Sequence, residues 1–246
     1  MNIISFDSIT KDYKTGFRKK KTALKDFSLS IREGEVFGFL GPNGAGKSTA
    51  IKILLNLIFP THGRAEILGK DVGDKGIRRF IGYLPENPYF YDYLNPVELL
   101  KFAGKTSGVD SMKIQERTEA LLNTFGLWNE RKRAIRNYSK GMVQRTGLAL
   151  ALIHDPGIVI LDEPMTGLDP IGRRKVMDLI LKLKAEGKTI FFSSHILQDI
   201  ERVCDRIGIL VNGVLVRVID IKAEQLDKPL EDIFIEEAEK AGRAKE

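Results

Sequence analysis

The sequence predicts an α/β fold: a sheet-and-helix core, a small antiparallel β portion, and a helical lobe inserted between the halves of the core. Three observations predict it. An apolar run, Val36-Phe37-Gly38-Phe39-Leu40, leads through a glycine-rich stretch into Ile51, Leu54, Leu55 and Ile58 at helical spacing. A second run, Ile158-Val159-Ile160-Leu161, is of the kind buried on both faces of a parallel sheet. Between them, from about 88 to 144, the pattern is helical throughout.

In order, Ile3-Ile4-Ser5-Phe6 and Ala23–Ile31 alternate as strands do, with a basic stretch, Arg18-Lys19-Lys20-Lys21, between them. That stretch reads as a solvated hairpin tip or as a contact for lipid headgroups or a partner. Glu33-Gly34-Glu35 turns into the first apolar run. After its helix, Pro60–Arg64 reads as a turn, and Ala65–Leu68 and Phe80–Leu84 as short strands. Asn95-Pro96-Val97-Glu98 starts a helix, with a capping Asn, Pro in the first turn and Glu placed for a capping box. Gly108 ends it. A second helix carries Ile114, Thr118, Leu121, Leu122 and Phe125 and closes at Gly126; Ser139 to Gly141 open a third, Val143 to Ile153, which Asp155-Pro156 stops. Asp169-Pro170 opens a helix that Gly187 caps, and Thr189–Ser193 is a strand. Asn212-Gly213, between Ile207–Val211 and Val214–Ile219, is a strong hairpin signal. Leu230–Ala238 reads as an amphipathic helix. The expected organisation is a core of 1–87 and 145–235, a lobe of 88–144, and a disordered tail of 236–246.

The glycine-rich stretch is Gly41-Pro42-Asn43-Gly44-Ala45-Gly46-Lys47-Ser48-Thr49, which fits G-x-x-x-x-G-K-[ST] in full and in the strand–loop–helix context that the pattern needs. Its glycines allow successive backbone N–H groups to turn inward. With the positive end of the next helix these make a cradle for phosphate oxygens. Lys47 would reach the β- and γ-phosphates, and the Ser48 hydroxyl would bind Mg²⁺.

Two carboxylates end the second run. Asp162, at a strand tip, is placed to hold Mg²⁺; Glu163, next along, to polarise an attacking water. His195 follows a strand and precedes a helix, where ligands of parallel sheets sit, and reads as a γ-phosphate contact. His62 and His154 lie in turns and carry no such role. Tyr13 reads either as core or as a platform for a base, where stacking contributes about 1–3 kcal/mol.

Composition limits the rest. The chain has 246 residues, 43% hydrophobic and 29% charged, a net charge of +6 and one cysteine, Cys204. Cys204 has no intrachain disulfide partner, so a reducing cytosol is the default. No apolar stretch approaches the roughly 18–20 residues that span a bilayer, and the N-terminus has no signal-peptide pattern. The basic excess suits phosphate ligands or an anionic membrane face and does not by itself argue for nucleic acid.

Gly41–Thr49, then Tyr138-Ser139-Lys140-Gly141-Met142 with Gln144-Arg145, Leu161-Asp162-Glu163-Pro164, Gly167-Leu168-Asp169 and His195, together resemble the nucleotide-binding subunit of an ABC transporter. The resemblance implies a P-loop NTPase (RecA-like) core and an ATPase using ATP and Mg²⁺. It implies Tyr13 as the adenine-stacking aromatic, Ser139 and Gly141 as the signature, Asp169 as the D-loop acid and His195 as the switch histidine. It also implies a head-to-tail dimer, homo- or heteromeric, in which the signature of one subunit caps the ATP on the other's phosphate loop. Separate transmembrane subunits and a place on the inner face of the membrane follow.

Two features depart from the usual pattern. Of Leu-Ser-Gly-Gly-Gln only Ser139 and Gly141 match, and Lys140 brings a positive charge where anionic oxygen is expected. No glutamine occurs between Thr49 and Gln115, so Glu86 stands in the Q-loop place as a candidate Mg²⁺ ligand. Both departures, and Leu230–Phe234, resemble the branch serving ABC-2-type exporters. Tyr89, Phe90, Tyr91 and Tyr93 are either contacts for the membrane partner or packing within the lobe. The alternatives are a soluble ABC ATPase without a membrane partner, and a GTPase or small-molecule kinase; there is no Asn-Lys-x-Asp guanine reader.

Overall fold

The computed structural model describes residues 1–14, 19–224 and 228–243. Strands β1 (Asn2–Lys14), β2 (Lys20–Arg32) and β3 (Val36–Leu40) precede helix α1 (Lys47–Leu54), β4 (His62–Ile67), β5 (Lys70–Asp71) and a 3-10 turn at Lys75–Phe80. Then come β6 (Ile81–Leu84), α2 (Pro96–Thr106), α3 (Ser111–Thr124), 3-10 turns at Trp128–Glu130 and Ile135–Asn137, α4 (Lys140–Leu152) and β7 (Ile158–Leu161). The chain closes with α5 (Pro170–Ala185), β8 (Thr189–Ser194), α6 (Leu197–Val203), β9 (Arg206–Val211), β10 (Val214–Asp220) and α7 (Leu230–Arg243). Contacts gather these into two units, one of 1–78 with 189–246 and one of 79–188.

The first unit is built on β3, buried at all five positions. It runs parallel to β8, Val36 to Leu40 facing Ile190 to Ser194, and parallel to β9, Phe37 facing Arg206. β10 returns antiparallel to β9 across Asn212-Gly213, whose φ of 51° and 82° are those of a tight hairpin turn. A second, antiparallel sheet has the order β2-β1-β4-β5. Phe6, Phe27, Phe39 and Phe191 link the two sheets, with successive ring centroids 5.0, 5.6 and 5.7 Å apart. Phe27, Phe39 and Phe191 are fully buried, and each contributes about 1.5–3 kcal/mol. Gly38 has no room for a side chain: a Cβ there would lie 2.6 Å from Cys204 Sγ and 3.0 Å from Ile200, so its absence lets α6 pack directly on β3.

In this unit β4 begins at His62, inside the expected turn, β5 is not expected from the sequence, and β1, β2 and α7 depart furthest from the sequence reading. β1 and β2 are each 13 residues long, well beyond the alternating segments, because register shifts let the ladder continue where alternation breaks. Ser8 and Asp26, at φ 49° and 46°, mark those breaks. Lys20 and Lys21 belong to β2, while Arg18 lies outside the described residues. The tail expected to be disordered from 236 is helical as far as Arg243, because α7 keeps its amphipathic pattern past Ala238; 244–246 lie outside the described residues.

In the second unit β6 and β7 pair in parallel, Ile81 to Leu84 facing Ile158 to Leu161. α2 starts as expected: Asn95 accepts the Glu98 N–H at 3.0 Å, and the Glu98 carboxylate accepts the Asn95 N–H at 2.9 Å. α4 lies close on β6, since a Cβ on Gly82 would sit 2.1 Å from the Ala151 carbonyl oxygen and one on Gly147 2.5 Å from Leu84. The turn from α4 to β7 is held from three sides. Arg117 of α3 donates to the Ile153 carbonyl at 3.1 Å, Lys188 donates to the Pro156 carbonyl at 2.9 Å and pairs with Asp155, and His154 Nε2 lies 3.0 Å from the Ile81 carbonyl. A carbonyl only accepts, so Nε2 carries the proton of a neutral ring.

Burial, with Arg117 and Lys188 nearby, holds the His154 pKa below the ordinary 6.5, against the opposing pull of the Ile81 carbonyl and Asp155. The unfolded chain therefore takes up this proton first as pH falls. Stability is full above the unfolded value and declines as pH drops through it towards the folded one. Urea midpoints measured between about pH 7 and pH 5 should fall less steeply in His154→Gln than in the parent, the Gln amide keeping a donor for Ile81. Equal slopes would show that His154 carries none of the dependence.

Candidate active site

The phosphate loop is shaped by its glycines. Gly44 and Gly46 take φ of 81° and 113°, where a side chain is strained. A Cβ on Gly41 would meet the Leu210 carbonyl oxygen at 2.4 Å, and one on Gly46 the Ala23 carbonyl oxygen at 2.5 Å. The loop is thus pressed against β9 on one side and β2 on the other. The hairpin after β9 backs it as well: Gly213 N–H donates to the Ala45 carbonyl at 2.8 Å, and the Gly213 carbonyl accepts the Lys25 N–H at 2.8 Å.

Gly46 forms the N-cap of α1, so Lys47, Ser48 and Thr49 supply first-turn amides that have no partner inside the helix. Lys47 is buried, and its ammonium reaches back to the carbonyls of Gly41 and, at 3.3 Å, Pro42. Pro42, Asn43 and Gly44 are exposed at the rim, while Ala45 faces inward. His195 is exposed at the carboxyl end of β8, one residue beyond Ser194, which faces Leu40 just before the loop. Tyr13 of β1 is partly exposed, with the Lys11 ammonium 5.2 Å from its ring centroid. Loop, His195 and Tyr13 all belong to the first unit.

Glu86, Ser139, Gly141, Asp162, Glu163 and Asp169 belong to the second. Asp162 ends β7, 1% exposed, its N–H donating to the Leu84 carbonyl at 2.8 Å. Burial, and then the Asp162 charge, push the Tyr83 phenol up to about 12. Glu163 is buried and takes φ of 50°, a left-handed backbone that costs a non-glycine residue about 1–2 kcal/mol. Strain of that kind is retained where the surroundings over-determine it, as they do at reactive sites. Glu86 is exposed in the turn after β6.

Ser139 caps α4 by accepting the Met142 N–H at 3.3 Å, which leaves its own O–H to donate to an anion. Asp169 caps α5 by accepting the Gly172 N–H at 2.6 Å. Around these caps lies a hollow of about 380 Å³, its rim carrying Lys140, Gly141, Arg145 and Lys175 beside Asp169. Cations outnumber anions there. Ser48, in the first unit, offers a hydroxyl oxygen, and Asp162 and Glu86, in the second, offer carboxylate oxygens; each is a donor type that small hard cations take. Among the described residues, no three His, Cys, Asp or Glu side chains cluster into a metal site of their own.

The ABC transporter family model matches residues 24–166, more than half of the chain. The chain belongs to the ABC transporter family. An uncharacterized ABC transporter ATP-binding protein of Synechocystis is 50% identical over 218 residues, 87% of this chain, which spans 62% of that relative's length. The bacitracin transport ATP-binding protein BcrA of Enterococcus faecalis is 37% identical over 222 residues, 89% of this ABC chain and 70% of BcrA. A solved dimer of the ATP-binding cassette MJ0796, in a post-hydrolysis state bound to ADP and Pi, superposes with a TM-score of 0.84 at 27% identity, covering 90% of this chain and 100% of the other. The fold is therefore that of an ATP-binding cassette with a P-loop NTPase core, as the sequence predicts.

Two contacts made by residues of the signature stretch were not legible in the sequence. Gln144 is 2% exposed, and its amide donates to the Pro164 carbonyl at 3.3 Å. Lys140 lies against Gly167. Both residues stand within the signature stretch, but the partners they meet lie about twenty positions or more away along the chain. The aromatic run divides. A Cβ on Gly147 would lie 3.5 Å from Phe90, which packs inward, whereas Tyr89, Tyr91 and Tyr93 are largely exposed. Tyr89, Phe90, Tyr91, Phe102 and Leu150 line an apolar groove of about 450 Å³. Among the described residues no helix is long and apolar enough to cross a membrane.

Proposed function

We propose that this cassette binds and hydrolyses ATP with Mg²⁺ and drives separate membrane subunits of an exporter, as one half of a head-to-tail dimer. The observation that carries the reading is the phosphate loop. Left-handed glycines shape it, β9 and the β9–β10 hairpin back it, and a buried lysine lies across its mouth. Gly41, Pro42, Asn43, Gly44, Ala45, Gly46, Lys47, Ser48 and Thr49 bind the phosphates, and Tyr13 stacks on adenine. Ser48, Asp162 and Glu86 hold Mg²⁺, which neutralises charge on the phosphate oxygens. Glu163 is the general base for the attacking water, and His195 contacts the γ-phosphate. Ser139 and Gly141, with Asp169, form the face that closes over the ATP of the second subunit.

The dimeric cassette with ADP and Pi supports the ATPase and the pairing, and BcrA, a bacitracin transport protein, supports export. The groove at Tyr89, Tyr91 and Phe102 suits an apolar segment of the membrane subunit. A place on the inner face of the cell membrane follows from that partner. Fluorescence competition tests the nucleotide: ATP should displace a labelled analogue better than GTP, and preference for GTP would overturn the assignment. Affinity purification from detergent-solubilised membranes tests the partner. A polytopic membrane protein should copurify, and recovery of the cassette without one would favour a soluble ABC ATPase.

A further inference from the structure

Residues 163–169, which contain the proposed base, run alongside α4 within the second unit. Two turns within the segment fix its course: Thr166 N–H donates to the Glu163 carbonyl at 3.1 Å, and Leu168 N–H to the Met165 carbonyl at 3.3 Å. Glu163 and Gly167 both take positive φ, 50° and 76°. Gly167 takes that backbone freely, as glycine does, but Glu163 does not, so the run does not hold its shape from local preference alone.

What holds it comes from α4. Gln144, buried, donates to the carbonyl of Pro164, the residue directly after Glu163. Lys140 lies one turn earlier on the same helix face. Its side chain covers Gly167, where an added Cβ would sit 2.9 Å from Lys140 Cδ, 3.0 Å from Cε and 3.2 Å from Cγ. Between them a Cβ on Gly141 would make only ordinary contacts, with Leu168 at 3.4 Å and the Gly167 carbonyl oxygen at 3.5 Å. The segment is therefore gripped near both ends by side chains spaced i and i+4. At position 140 the pattern that this stretch resembles has glycine, which offers no side chain for such a grip.

We propose that Lys140 and Gln144 are positioning residues for hydrolysis, with the methylene stem of Lys140 rather than its ammonium holding Gly167 and so fixing Glu163. The inference rests on the reading of Glu163 as the base. A positioned base loses rate steeply with small displacements, about a hundredfold for an ångström. The grip acts on the base after ATP is bound, so its loss lowers kcat and spares ATP affinity.

The test uses the full chain and steady-state ATP hydrolysis, with hydrogen exchange followed in the peptide covering 163–169. Lys140→Gly should lower kcat about tenfold, leave the ATP dissociation constant within about twofold and speed exchange in that peptide. Lys140→Met keeps the stem and drops the charge; it should return exchange in that peptide to the parental rate and raise kcat well above that of Lys140→Gly. Gln144→Met, close in shape and unable to donate, should lower kcat as Lys140→Gly does, and the double variant should fall further. Gln144 is buried, so Lys140→Gly and Lys140→Met decide the matter if Gln144→Met fails to fold. A Lys140→Met enzyme as slow as Lys140→Gly would overturn the stem's role, and an unchanged kcat in Lys140→Gly would overturn the grip. The reading of Glu163 stands or falls separately: normal hydrolysis by Glu163→Gln removes the base, whatever the α4 variants do.

Discussion

Glu163→Gln is expected to keep ATP bound and to slow its turnover by about 10²–10⁴-fold, the contribution a positioned general base makes. Glutamine preserves the shape of the side chain and takes away only its capacity to accept a proton. The backbone at 163 is already left-handed and is bonded to Thr166, so the loop has no reason to refold around the amide. With cleavage blocked, ATP remains between two copies, and the substituted chain should elute from a sizing column at twice its mass when ATP and Mg²⁺ are present. Elution as a single copy under those conditions, with the membrane subunit also supplied, would remove the sandwich from the mechanism. Hydrolysis at the parental rate would remove Glu163 from it.

The second large effect is at Lys47. Replacing it with alanine should weaken ATP binding by about a hundredfold, corresponding to about 3 kcal/mol, the worth of a charge-assisted hydrogen bond in a buried site. The ammonium also lies on the carbonyls of Gly41 and Pro42, so the substitution acts on the loop's own stability as well as on the phosphate. Lys47→Met separates the two contributions, because it refills the volume without the charge. Titration calorimetry should find both variants equally weak, with the methionine form the more heat-stable. An ATP affinity unchanged in either would dismiss the loop as a phosphate site.

Much of this was legible in the sequence because it is local chemistry. A glycine-rich loop between an apolar run and a helix announces its backbone, and the helix starts at Asn95, Ser139 and Asp169 were each read from one residue and its neighbours. The same holds for Asn212-Gly213. What stayed hidden depends on distant partners. Ser8 carries no residue-type signal for a left-handed backbone and Asp26 only the general tolerance of Asp for it, so the strands were read as shorter than they are. Gln144 is legible as part of the signature stretch, but its hold on the segment after Glu163 is not until Pro164 is brought against it. Periodicity marks where helices begin and end, near 88 and 144, whereas contacts gather β6, β7 and α5 with those helices; for β6 the reason is the close approach of α4 at Gly82 and Gly147. Helix α7 continued past the expected frayed point because no breaker stops it before Gly242.

The glycine at 213 gives the phosphate loop a schedule. Residues 41–49 leave the ribosome well before the carbonyl of Leu210 that limits Gly41 and the amide of Gly213 that binds Ala45 are made. At the usual rate of about 5–20 residues per second the interval is on the order of ten seconds. Throughout it the nascent chain displays the glycine-rich motif without its backing, so the loop takes its cradling shape only once β9 and the following hairpin have been added.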